Sequence, residues 1–403
     1  MDRISRRTSR EAVAINSFTS FWIEHVHIVL ENEVVTQGAV QVQDGRITQV
    51  AEAAPADHGH VLDGQGGWLL PGFIDLHVHG GGGHDFMDAS QKAYDTITAF
   101  HAQHGTTTML ATTVTAPQDA IEQVLHTAAE KKNSPIGAKL AGVHLEGPFI
   151  SPKWPGAQNP SYIVPPRMDW MERWVSQYPG LIRMLTLAPE TEGALPMIRW
   201  LAEREIIAAC GHTDASYEQI FAAVQHGLSH AVHTFNAMKG LHHREPGTVG
   251  AVLESDHMYT ELIADGFHVH PGAIRLLTKA KPKDRVILIT DAISAAGLGD
   301  GEYALGGLPV VLRDGEARLK NGGSLAGSTL TMDGAVRFML QHSGLSIVDI
   351  SRMASLNPAC RIGIEHETGS IASGKIADLV LMDAEYQVRQ VWIEGRPAIS
   401  TSK

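Results

Sequence analysis

Hydrophobic and polar positions fall into three regimes along the chain. Residues 21–30 and 39–50 are rich in β-forming residues, with Asp44-Gly45 marking a turn between short alternating segments. Residues 378–382 and 388–395 repeat this pattern near the other end, after a turn-rich stretch at 369–375. Between these flanks, short apolar runs alternate with longer stretches of helical period. The runs at 72–78, 106–112, 139–146, 181–188, 206–211, 230–234, 259–264 and 286–290 read as strands. Stretches such as 89–104, 117–131, 192–204 and 216–227 read as helices between them. Eight alternations of this kind predict an α/β fold, a (β/α)8 TIM-type barrel over residues 69–368. The flanks, 21–68 and 369–403, predict one small β-sandwich domain built from both ends of the chain. An open doubly wound sheet is the architectural alternative. There is no internal repeat and no low-complexity tract. Residues 1–20 carry Arg3, Arg6, Arg7 and Arg10 but no apolar segment or small-residue cleavage site, so they read as a disordered or loosely attached extension.

In such a barrel the chemistry sits at the carboxyl ends of the strands, so the residues there matter most. Segment 69–80 runs from apolar residues into His77-Val78-His79 and then a glycine run at 80–83. Side chains two apart on a strand point the same way, so both imidazoles reach one spot. That arrangement suits a divalent metal ion. The third strand ends in His144 and Glu146, the fifth in His212, the sixth in His233 and Asn236, the seventh in Asp265 and His268, and the eighth in Asp291. Each has a structural use too. His144 reads as a core or supporting hydrogen-bond partner, Glu146 as half of a buried ion pair, His212 and His233 as satisfied structural histidines, and Asp291 as a helix cap. Together they put metal-compatible groups at the same end of strands 1, 3, 5, 6 and 8, which separate structural uses do not explain.

Composition narrows the partners. With 403 residues and 43% hydrophobic content the chain can bury a large core. Its net charge of −12 argues against a nucleic-acid or anionic-membrane surface, and no stretch is apolar for long enough to cross a bilayer. Cys210 and Cys360 are too few for a disulfide framework and fit a reducing, cytoplasmic setting. The 22 histidines are so numerous that their count is itself no evidence for metal.

The pairing of His-x-His on strand 1 with His, His and Asp on strands 5, 6 and 8 resembles the amidohydrolase superfamily. Seven motifs narrow the likeness: His144-Leu-Glu-Gly-Pro148, Gly211-His-Thr213, His233-Thr-Phe-Asn-Ala-Met238, Arg244-Glu-Pro-Gly247, Ile263-Ala-Asp-Gly-Phe-His268, Leu288-Ile-Thr-Asp-Ala292 and Leu325-Ala-Gly-Ser-Thr329. In this order they resemble the N-acetylglucosamine-6-phosphate deacetylases over residues 21–400 or so. The resemblance implies a metal held by Glu146, His212 and His233, with an open position for water. It implies Asp291 as general base and then acid, and His268 as hydrogen-bond donor to the acetyl oxygen. For a phosphorylated amino sugar it implies contacts from Ala157, Gln158, Asn236, Ala237, Arg244, the run Asp265, Gly266, Phe267 and His268, and the run Leu325, Ala326, Gly327 and Ser328. It also implies a homodimer with one or two divalent ions per subunit. Zinc is the expected metal, and imidazole and carboxylate donors suit Fe, Mn or Co as well.

Two features bear on how this chain uses the pattern. It keeps His77 and His79, which some relatives have lost, so a second ion bridged by Glu146 is expected. It carries Gln158 where many relatives have a histidine, and a glutamine cannot become cationic. The galacto epimer of the sugar stays open as an alternative substrate. A cyclic-amide hydrolase needs a lysine at the end of strand 4, and 181–190 has none. A non-catalytic scaffold is the reading from another class, and such proteins lose the ligands or base that this chain retains.

Overall fold

The computed structural model describes residues 20–56, 59–131 and 137–398. The expected extension over 1–20 lies outside these, apart from Ser20, which opens the first strand. Eight parallel strands form a nearly closed barrel. Numbered within the barrel, strand 1 is Phe73–Val78, strand 2 Thr106–Thr112, strand 3 Lys139–Glu146, strand 4 Ile182–Leu187, strand 5 Ile207–Cys210, strand 6 His230–Ala231, strand 7 Tyr259–Ile263 and strand 8 Val286–Ile289. Sequence neighbours pair in order around the sheet. The helices α1 (Gln91–Gln103), α2 (Gln118–Lys131), α3 (Met168–Gln177), α4 (Ala194–Ala202), α5 (Tyr217–Val224), α6 (Gly247–Glu254), α7 (Pro271–Ala280) and α8 (Met332–His342) alternate with the strands. The fold is therefore the expected (β/α)8 barrel.

Period-two alternation sorts the strand residues. Val143 and Leu145 of strand 3, Leu185 and Leu187 of strand 4, and Ala208 and Cys210 of strand 5 pack outward with the helices. Leu110, Met184, Ala209, Val232, Ile263, Ile287 and Ile289 fill the barrel interior. His144 and Glu146 fall on the inward register of strand 3, both buried. Helix starts follow capping chemistry: Ser90 accepts from the Ala93 amide before α1, and Ser216 and Gln219 form a reciprocal capping box on α5.

The barrel seam lies between strands 8 and 1, and side chains help to close it. Asp75 accepts hydrogen bonds from the Thr290 hydroxyl (2.5 Å), the Thr290 amide (3.3 Å) and the His77 amide (3.2 Å). Burial pushes the Asp75 carboxyl up to about 7, against those three donors. Beyond it the Asp291 amide donates to the His77 carbonyl (2.8 Å) and the His79 amide to the Ala292 carbonyl (2.9 Å). The residues that end strands 1 and 8 are thereby held side by side.

Both ends of the chain build a second, seven-stranded sheet from Ser20–Val29, Val34–Gln43, Arg46–Ala51, His60–Pro71, Leu379–Met382, Val388–Ile393 and Arg396–Ala398. It curls until Arg46 bridges Ile376, and its own core includes Phe21, Ile47, Leu379 and Trp392. The Phe21 and Trp392 rings stack at 6.2 Å. Leu69 and Leu70 belong to this sheet, paired with Leu381 and Val380. The apolar run leading to His77 is thus two strands in two sheets, divided at Gly72. A Cβ there would lie 2.2 Å from the Thr107 hydroxyl, a close approach that only glycine allows. A three-stranded sheet (Gly301–Leu305, Leu308–Arg313, Glu316–Leu319), not read from the sequence, follows strand 8. No helix among the described residues is long and apolar enough to cross a membrane.

Candidate metal centre and active site

Glu146, at the end of strand 3, is the hub of the site. Its Oε1 lies 3.0 Å from His233 Nε2, 3.2 Å from His212 Nε2 and 3.3 Å from His77 Nε2. Its Oε2 lies 3.4 Å from His79 Nε2 and accepts a hydrogen bond from the Gln158 amide. Two overlapping donor sets result, His77–His79–Glu146 and Glu146–His212–His233, each with its ligand atoms within 4.8 Å of one another. Both are buried.

The four imidazoles are oriented alike. Each turns Nδ1 toward an oxygen and Nε2 toward the centre. The oxygens are Glu261 Oε2 for His77 (2.9 Å), the Thr112 carbonyl for His79 (3.3 Å), the Trp154 carbonyl for His212 (3.0 Å) and the Asn236 carbonyl for His233 (3.2 Å). An N–H fixed on that side leaves the other nitrogen to ligate. His77 Nε2 is buried and has no hydrogen-bond partner among the described residues, an arrangement that costs free energy unless a cation or proton meets it. His212, His233 and Asp291 have left-handed backbones, with φ of +47°, +29° and +51°. Non-glycine residues there cost about 1–3 kcal/mol each and concentrate at functional sites.

The charges agree with the geometry. Burial alone would raise the Glu146 carboxyl, but the surrounding His77, His212 and His233 rings hold it well below the usual carboxylate range. Burial disfavours a charged His79, yet its contacts with Asp291 and Glu146 push it up to about 10. Asp291 is likewise lowered against its own burial, chiefly by His79. The carboxylates therefore demand positive charge at the centre. Imidazole and carboxylate donors arranged in this way fit a divalent ion.

A cavity of about 450 Å³ opens over the cluster, within the size range of small-molecule sites. His79, Glu146, Ala157, Gln158, His212, His233, Asn236, Ala237, His268, Asp291, Leu325 and Gly327 line it. His77 lies fully buried behind them. Arg244 sits on an exposed loop beside His243 (2.7 Å) and is not part of the wall. Asp265 supports the wall from behind: its Oδ2 lies 2.7 Å from His268 Nδ1, and its Oδ1 accepts the Phe267 and His268 amides. That contact raises the His268 pKa against the effect of burial. Gly266 and the half-exposed Phe267 lie outside the cavity. Ala326 is buried, and the Ser328 hydroxyl donates to the Thr290 carbonyl (2.5 Å) instead of facing the cavity. The Asn236 amide donates to the His233 carbonyl (3.0 Å). Gln158 is fixed at both ends, its carbonyl accepting from the Thr115 amide (2.6 Å) and its amide donating to Glu146. His144 has partners at both nitrogens, the Leu76 carbonyl and the Thr186 hydroxyl.

Some wall and support residues were not read from the sequence. Lys153 and Trp154 join the cavity wall and also bond Asp214. Leu305, from the three-stranded sheet, joins it as well. Glu261 on strand 7 is fully buried and bonds both His77 and His230. A carboxylate inside the apolar run of strand 7 is the signal that marks it, since buried charge is paired almost without exception.

A (β/α)8 barrel with buried His/Glu donor sets at its carboxyl end defines a metal-dependent hydrolase of the amidohydrolase type. The chain belongs to that family: residues 68–398 match the model of the Amidohydrolase family. More narrowly, its relatives place it among the N-acetylglucosamine-6-phosphate deacetylases. It is 42% identical to the enzyme of that name from Bacillus subtilis (strain 168), over 92% of this chain and 94% of the other. It is 41% identical to an N-acetylgalactosamine-6-phosphate deacetylase from Escherichia coli O157:H7, over 82% of this chain and 87% of the other. Among solved structures, a mutant N-acetyl-D-glucosamine-6-phosphate deacetylase from Mycobacterium smegmatis in complex with N-acetyl-D-glucosamine-6-phosphate superposes with a TM-score of 0.89. It is 33% identical, and the match covers 95% of this chain and 99% of that one.

Proposed function

We propose that the chain hydrolyses the acetamide of N-acetyl-D-glucosamine 6-phosphate, giving D-glucosamine 6-phosphate and acetate. One observation carries the reading: Glu146 is shared by two His/Glu donor sets, and Asp291 lies beside them, facing the same cavity. Glu146, His212 and His233 would hold one divalent ion, and His77, His79 and Glu146 a second. Zinc is the ion proposed, with Fe, Mn and Co also suited to these donors. Such an ion, when bound, acidifies water and polarises the amide carbonyl. Asp291 takes the proton of the attacking water and later delivers it to the departing sugar amine, as the C–N bond breaks and the new C–O bond remains in acetate. His268, whose Nδ1 donates to Asp265, donates from Nε2 to the acetyl oxygen in its protonated, cationic form, which the Asp265 contact favours. Gln158 holds Glu146 in place and offers its amide near the sugar. Asn236, Ala237 and Arg244 meet the phosphate, where the guanidinium supplies a planar fork of donors.

The direct test is acetate release from N-acetylglucosamine 6-phosphate by metal-loaded protein. Absence of acetate with both epimers removes the deacetylase reading. The galacto epimer is the second substrate reading, favoured by the relative from Escherichia coli. The resemblance further implies a homodimer and the two cysteines a reducing, cytoplasmic setting, which sedimentation and cell fractionation test.

A further inference from the structure

Below the donor sets, a line of polar groups crosses the floor of the barrel. Arg361, at the end of the short helix Asn357–Arg361, donates from Nε to His230 Nδ1 (3.2 Å) and from Nη2 to the Ser229 hydroxyl (2.6 Å). His230 on strand 6 is fully buried, and its Nε2 lies 2.9 Å from Glu261 Oε1. Glu261 is also fully buried, and its Oε2 lies 2.9 Å from His77 Nδ1 and accepts the His233 amide at 3.2 Å. The loose end is His77 Nε2, which has no hydrogen-bond partner among the described residues and lies 3.3 Å from Glu146 Oε1.

Donor direction along this line is forced from one end. A guanidinium has N–H donors and no acceptor, so His230 Nδ1 must accept. A ring accepting at Nδ1 carries its hydrogen on Nε2, so His230 donates to Glu261. A carboxylate only accepts, so His77 must donate to Glu261 from Nδ1. What is left to His77 is Nε2, aimed at Glu146 and His79's side of the cluster. His79, His212 and His233 anchor Nδ1 on backbone carbonyls, whereas His77 anchors it on a carboxylate. A carboxylate partner fixes the ring and raises its basicity as a ligand.

We infer that Arg361, His230 and Glu261 form a buried relay that fixes the hydrogen of His77 on Nδ1 and thereby prepares the His77–His79 pair to hold an ion of its own. The inference rests on the two-ion reading of the site. The three residues touch neither substrate nor ion and are positioning residues.

The test is titration of metal-stripped wild type, Glu261→Gln and Arg361→Met with Co²⁺ alone, bound metal being counted after gel filtration and coordination followed in the visible spectrum. A glutamine at 261 presents one acceptor and one donor group where two rings donate, so one ring must reverse. Arg361→Met removes the forced donor without touching the cluster, and it carries the test should Glu261→Gln fail to fold. Wild type is expected to take up two ions. Glu261→Gln should keep the step belonging to Glu146, His212 and His233, while the other step weakens by about 10–100-fold. Arg361→Met should weaken that same step by less. A wild type that takes up a single ion, or a second step within twofold of wild type in both variants, overturns the relay. Acetate release is not the readout. Loss of the deacetylase reading with two-step uptake intact leaves the relay standing, and the converse holds too.

Discussion

Asp291 Oδ1 lies 3.2 Å from His79 Nε2, across the seam where strand 8 meets strand 1. Backbone hydrogen bonds, from the Asp291 amide to the His77 carbonyl and from the His79 amide to the Ala292 carbonyl, tie the two strand ends together. Burial would raise the Asp291 carboxyl, but His79 and its neighbours lower it, so at neutral pH it is ionised and able to take a proton. Asp291→Asn keeps the volume and the backbone ties and removes that ability. The expected result is a fall in kcat of about 10²–10⁴-fold or more, with metal content close to wild type. Near-normal turnover eliminates Asp291 as the base.

Glu146 is the residue common to both donor sets. His212 Nε2 and His233 Nε2 converge on one of its oxygens and His79 Nε2 on the other. Glu146→Ala is therefore expected to strip both ions, whereas His212→Ala should weaken only one. Metal content measured on the two variants beside wild type separates them. Equal losses in the two variants contradict a shared carboxylate.

A third expectation concerns the join between α1 and α8, the first and last of the eight helices that alternate with the barrel strands. Asp333 of α8 is nearly buried, and it meets His104 at the end of α1 (3.2 Å) and Arg337 (2.7 Å). Burial would raise its carboxyl, but these partners bring it from 3.8 down to about 2. Because the folded-state pKa is depressed, the stabilisation is present above the unfolded value near 4. It is lost as pH falls through about 2. A shift of this size corresponds to about 2 kcal/mol. Asp333→Asn should lower unfolding free energy by about that much at pH 7, and by less at pH 3. A gap in urea unfolding that is the same at both pH values argues against the ion pair as its source.

Strand ends were legible in the sequence because the barrel rule and two-residue periodicity act locally. Spacing puts His77 and His79 together, and the strand ends of a barrel put Glu146, His212, His233 and Asp291 at the same end; the structure brings all six together. What was not legible depends on long-range pairing. The division of 69–74 between two sheets at Gly72 follows from Leu70 pairing with Val380, far along the chain. The sheet over 301–319 carried its signal in the turns Gly306-Gly307 and Asp314-Gly315, which interrupt a period-two pattern. Glu261 is visible as a charge inside the apolar run of strand 7, but its partners, His77 and His230, come from other strands and were not legible. Arg244 and Ser328 carry the resemblance's motifs, yet one stands on an exposed loop and the other bonds the strand 8 backbone.

Recognition of the sugar's phosphate is expected to divide between the cavity and the loop that carries Arg244. Asn236 and Ala237 line the cavity, whereas Arg244 stands exposed, held beside His243 and outside the wall. An exposed arginine keeps its full charge and can swing toward an anion, and charge-assisted contacts of this kind contribute about 1.5–3 kcal/mol. Arg244→Ala should therefore raise KM for N-acetylglucosamine 6-phosphate by about 10–100-fold with a smaller change in kcat, and leave the slow turnover of unphosphorylated N-acetylglucosamine unaltered. Steady-state kinetics on the phosphorylated sugar, its galacto epimer and the unphosphorylated sugar, for wild type and variant, make the comparison complete. Should wild type turn over the sugar equally well with and without its phosphate, Arg244 has no phosphate to bind and the assignment fails. Should the variant lose activity on the unphosphorylated sugar as well, the loop acts through the fold of the site and not through charge.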